Sequence, residues 1–172
     1  HTVALDLWEL KAVSPVTQLA VQCQATAAGQ AAVEVDYIAF TETPPPDAEG
    51  LQQPAGPAKE WPVEMREAGQ WQPAWLANHS ESASLSAAPG GEGLVFRMPE
   101  GGCGAKWSRE LAAPIEGAQW ASLRYRARNL RTYGDYVIYI ASSGGGKAAQ
   151  EQYVIRQGDL ISDGEWHVAT GR

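Results

Sequence analysis

Short runs in which apolar and polar residues alternate, each bounded by glycine or proline, recur along almost the whole chain, while helical spacing of apolar residues is nearly absent. A period of two sends successive side chains to opposite faces of a strand, so such runs build sheets with one covered and one wet face. The 18 glycines and 11 prolines among 172 residues exceed the combined share of roughly 12% in average proteins, and long helices are excluded. The alternation predicts strands over residues 2–8, 17–26, 32–40, 61–66, 93–98, 119–128, 135–141, 151–157 and 165–170. Many short strands separated by turn formers point to an all-β, antiparallel jelly-roll sandwich.

The run at 119–128 is the clearest. Ala121, Leu123, Tyr125 and Ala127 share one face, and Trp120, Arg124, Arg126 and Arg128 share the other. The first face is core. The next run, Tyr136-Val137-Ile138-Tyr139-Ile140, is apolar on both sides, as a central strand is, and it leaves through a glycine-rich loop at Ser142–Gly146.

Residues 44–58 hold Pro44, Pro45, Pro46, Pro54 and Pro57 without periodicity, which reads as a semi-rigid linker rather than a loop inside a compact domain. It divides the chain into residues 1–43 and a main body at 59–172. Three short strands in the first part are too few for an independent core. They are expected to close a β-sandwich, either their own or that of a neighbouring copy. The chain opens with His1-Thr2-Val3-Ala4-Leu5-Asp6-Leu7 and closes with Glu165-Trp166-His167-Val168-Ala169-Thr170-Gly171-Arg172, as though it held the tail of one module and the head of the next, a slice of a longer protein.

A formal net charge of -7 with no dense basic stretch argues against nucleic acid and anionic membranes as partners. No apolar run reaches the ~18 residues of a membrane span, and no charged-then-apolar leader precedes His1; the expectation is a processed extracellular or cell-surface chain. Cys23 and Cys103 form no CxxC pair, which excludes a zinc ribbon and a dithiol redox motif and permits either one disulfide or two separately buried thiols.

Three segments carry a family resemblance: Trp120-Ala-Ser-Leu-Arg-Tyr-Arg-Ala-Arg128, Asp163-Gly-Glu-Trp-His167 and Val33-Glu-Val-Asp-Tyr-Ile-Ala-Phe40. They resemble strands of jelly-roll carbohydrate-binding modules with a galactose-binding-like fold, touching about a third of the chain. The resemblance implies a non-catalytic module that binds a polysaccharide or glycan, although such sandwiches also serve as assembly domains. In the family the late Trp-His strand precedes a final hairpin, whereas here it ends the chain. The resemblance also places Asp36 where several of these modules hold a structural calcium, with Glu60 or Glu64 as its partner, and Ca2+ takes six to eight oxygens.

Trp120, Arg124, Arg126 and Arg128, with Tyr139, form a candidate sugar groove in which rings stack on aromatics and guanidiniums bind hydroxyls or carboxylates. Tyr133 and Trp107 are loop-tip alternatives for the stacking role. An arginine row favours acidic glycans over cellulose. The plainer reading pairs those arginines with acids on neighbouring strands. His1 invites a second comparison, with the histidine brace of copper monooxygenases, for which His79 or His167 would supply the further ligand. No nucleophile elbow, complete phosphate loop or distinguished carboxylate pair gives catalysis positive support. The competing function is structural: a subunit of an extracellular filament or surface assembly, joined by lending strands from residues 1–43 to its neighbour.

Overall fold

The computed structural model describes residues 2–5, 15–44, 59–76, 80–131, 136–142 and 151–171. His1, His79, Tyr133 and nearly all of the proline-rich stretch and the glycine loop lie outside the described residues. Twelve strands are described: β1 (Thr2–Leu5), β2 (Val16–Gln24), β3 (Ala31–Thr41), β4 (Glu60–Val63), β5 (Gln72–Leu76), β6 (Ser84–Ala87), β7 (Leu94–Met98), β8 (Gly104–Ile115), β9 (Trp120–Arg128), β10 (Tyr136–Ala141), β11 (Glu151–Arg156) and β12 (Asp163–Gly171). Helical structure among the described residues is limited to three-residue 3-10 turns.

The strands form two sheets packed as a sandwich. The larger runs β1-β12-β9-β3-β7-β6, with β4 also on β3; the smaller runs β11-β10-β2-β8-β5. Neighbours are antiparallel except for β1, which lies parallel to β12. Sequential alternation decides which residues face inward: Val33, Val35, Ile38 and Phe40 of β3 meet Ala127, Tyr125, Leu123 and Ala121 of β9 in register on the covered face. The smaller sheet answers with Leu19, Val21 and Cys23 of β2 and Ile138 and Ile140 of β10. Cys23 and Cys103 are both buried and form no disulfide with each other, and burial drives the Cys23 thiol far above its ordinary value.

Strands β2 and β3 occupy interior positions, one in each sheet. β2 lies between β10 and β8. β3 lies between β9 on one edge and, on the other, β7 followed by β4. Residues from the first part of the chain therefore pair with strands of residues 59–172 in both layers.

The strand at 104–115 has no counterpart among the runs expected from sequence, and neither do β5 and β6. In β8, Ala105, Trp107 and Arg109 point inward between Lys106, Ser108 and Glu110, and the inward arginine hides the alternation. Arg109 is 9% exposed. Its Nη1 donates to the Glu64 carbonyl at 2.6 Å and its guanidinium lies 5.8 Å from the Trp71 ring centroid. It thus ties the segment that crosses from β4 to β5 onto the smaller sheet.

Candidate functional site

The outer face of the larger sheet carries the arginine row. Arg124 pairs with Asp36 and Arg126 with Glu34, both carboxylates coming from β3. From the opposite side, β12 brings Trp166. The Arg124 guanidinium lies 4.7 Å and that of Arg126 5.0 Å from the indole centroid. At 36% exposed, Trp166 is the exposed large hydrophobic residue of the described chain, so the two cations fix a ring that keeps open surface. The arginine side chains themselves remain 41% and 43% exposed.

Arg128 differs from its two neighbours. The register sets it against Ala32 of β3, a methyl where the others meet acids. Its guanidinium instead lies on Gly164, where an added Cβ would come within 2.5 Å of Arg128 Cζ. Among the described residues it has no ion pair or hydrogen bond.

Beside the row, β3 changes partners. β7 pairs with Ala31–Val35 and β4 with Ile38–Thr41, so residues 36 and 37 have neither strand on that edge. A bulge sits at the same point, since Val35 faces Tyr125 while Tyr37 faces the adjacent Arg124. The resulting cleft has a volume of about 300 Å3 and is lined by Asp36, Tyr37, Glu64, Arg66, Glu92 and Gly93, among others. Gly93, at φ +88°, passes so near β3 that a Cβ would stand 2.4 Å from the Val35 carbonyl oxygen.

Several expected site residues lie elsewhere. Trp120 shares the outer face but is only 5% exposed, because a large indole at the start of an interior strand gains more from burial than from water; it is no stacking platform. Trp107 is not at a loop tip. It lies inward on β8, with its ring 5.3 Å from that of Phe96 in the core. Tyr139 belongs to the other sheet, opposite Ala20, buried, with the Lys106 ammonium 4.6 Å from its ring centroid. Trp166 was not among the expected site residues, although its parity on β12, set against Arg126, is the signal that finds it.

The expected cation ligands Asp36, Glu60 and Glu64 each have other neighbours. Asp36 turns its carboxylate to Arg124. Glu60 sits opposite Thr41, five residues along β3, and Glu64 shares the cleft with Asp36 but accepts the Arg66 backbone N–H at 2.8 Å. Among the described residues no group of three or more His, Cys, Asp or Glu side chains could hold a metal ion. His167 is buried, faces Tyr125 and places Nε2 2.8 Å from Asp163 Oδ1, which leaves it turned away from any surface metal.

The Glu165 backbone N–H, and after it the His167 ring, hold the Asp163 carboxyl below its ordinary value. A carboxylate lowered in the folded state stabilises that state above the unfolded pKa, and the contribution disappears as pH falls through the folded value. Asp163→Asn should therefore melt below the parent at neutral pH, and thermal melts in acid should show the gap closing below about pH 4.

The fold and this face define an all-β sandwich of two antiparallel sheets with an arginine and tryptophan platform on the larger one. No protein-family model, curated protein or solved structure matches the chain.

Proposed function

We propose that the chain is a non-catalytic carbohydrate-binding β-sandwich module of an extracellular or cell-surface protein, and that it takes its glycan across the outer face of the larger sheet. The observation that carries this reading is Trp166: an indole with open surface, pinned by two guanidiniums and bordered by charged groups able to bond hydroxyls. Sugar rings present a flat patch of C–H groups flanked by hydroxyls, so an immobilised aromatic beside polar side chains is what recognition needs. A ring already fixed loses little further freedom when a ligand settles on it. The adjoining cleft at Asp36 and Tyr37 adds acceptors for hydroxyl groups at the edge of the platform. The three segments that resemble carbohydrate-binding modules also support the reading, since they are β12, β9 and β3, adjacent in the sheet and carrying this face.

Glycan-array screening followed by titration calorimetry tests it. Trp166→Ala is expected to weaken the best-bound glycan by about 1–3 kcal/mol, the scale measured for bases stacked on aromatics, while Trp120→Phe leaves binding unchanged. Equal affinity in the parent and Trp166→Ala would remove the platform from the site.

A further inference from the structure

The charge pattern of this face names the class of glycan, an inference that rests on the carbohydrate-binding reading above. Along β3, Asp36 pairs with Arg124 and Glu34 with Arg126, whereas the residue opposite Arg128 is Ala32. Two arginines are neutralised and the third is not. Ala32 is flanked on its other side by Arg97 of β7, an exposed residue whose side chain, among the described residues, likewise has no ion pair or hydrogen bond. Two cations without counter-ions thus border one methyl group in a protein whose net charge is -7.

The nearest carboxylate in register with Arg128 is Asp163. Its Oδ1 is already within 2.8 Å of both the Glu165 backbone N and His167 Nε2, so that charge is turned to the protein's own donors. The Arg128 guanidinium lies against Gly164, and the residue is two positions from Arg126, roughly 7 Å along the strand. A sugar ring on Trp166 would therefore set a substituent, or the next ring, over Arg128.

We propose that the ligand is an anionic glycan, bearing uronate carboxylates or sulfate esters, and that Arg128 binds the oxyanion with Arg97 as a second, longer-range cation. A planar guanidinium suits either group, because both present paired oxygens to its parallel N–H bonds. At the far end of the face the cleft holds Glu92 beside the Glu64–Arg66 pair and offers no unpaired cation among its lining residues, so the ligand is oriented with its anion toward the Ala32 end.

Calorimetry on the whole chain with size-matched neutral gluco-, manno- and galacto-oligosaccharides, oligouronates and sulfated galactan oligosaccharides tests this. The parent should bind one anionic series roughly tenfold to a hundredfold more tightly than its neutral counterpart, with the preference shrinking at high salt. Arg128→Gln should abolish the preference while keeping the neutral affinity and the melting temperature, and Arg97→Gln should reduce it by less. The uronate and sulfate arms decide which oxyanion is taken. Equal affinity for neutral and anionic sugars, or a preference that survives Arg128→Gln, overturns the inference and leaves the carbohydrate reading standing. Absence of binding to every sugar, with Trp166→Ala indistinguishable from the parent, overturns the carbohydrate reading itself.

Discussion

Removal of residues 1–43 is expected to abolish cooperative folding of the rest of the chain. The reason lies in the strand order. Without β2 the smaller sheet falls into the pairs β11-β10 and β8-β5, and without β1 and β3 the larger one falls into β12-β9, β7-β6 and an isolated β4. Two-stranded pieces are marginal in water at best, and each cut edge would bare a ladder of backbone donors and acceptors next to apolar side chains. The truncated protein should be aggregated or lack a melting transition. Adding the 1–43 segment as a separate peptide should restore far-UV circular dichroism and a cooperative melt. A folded, cooperative 59–172 fragment would contradict the observed pairing of β2 and β3. The same pairings could be made between copies, and we propose the oligomeric state of the full chain as the discriminating measurement: a monomer keeps residues 1–43 on their own body, and a dimer or filament hands them on.

The second large effect is expected at Phe96. Its ring is fully buried and meets Trp71 edge-on at 5.9 Å, with an interplanar angle of 88°, and Trp107 at 5.3 Å. Phe96 comes from the larger sheet, Trp107 from the smaller one and Trp71 from the segment that crosses between them. One ring thereby joins the two layers and their connection. Phe96→Ala should cost about 3–5 kcal/mol, the usual range for a buried aromatic that leaves a cavity, and Phe96→Leu considerably less. Urea titration with an unchanged denaturant slope would measure it; a loss under about 1 kcal/mol would mean that the surrounding rings collapse into the space.

The fold class was legible because alternation is a local property. The face of β9 that carries Ala121, Leu123, Tyr125 and Ala127 is the covered one, and the sandwich follows from the many such runs. What escaped notice depended on neighbours distant in sequence. An inward Arg109 makes no sense until the Glu64 carbonyl is beside it. The charges of the arginine row could be read, but which arginines are neutralised depends on the register with β3, and a slip of one residue would exchange every partner. Trp120 and Trp166 look equally suited to stacking in the sequence; only their surroundings separate a buried ring from an open one. Trp107 shows the reverse, since its flanking lysine and serine suggest a surface and conceal an inward position on β8.

The bulge in β3 serves the cleft rather than the core. Deleting either residue 36 or residue 37 would restore an unbroken alternation of Val33, Val35, Ile38 and Phe40, with every core contact to β9 retained. The architecture therefore has no need of the extra residue. Only the cleft does, because two consecutive side chains are presented at the point where β7 ends and β4 begins. Removing one residue there is therefore expected to close the cleft while the apolar faces of β3 and β9 stay matched, and the space that Gly93 leaves beside the Val35 carbonyl would lose its purpose.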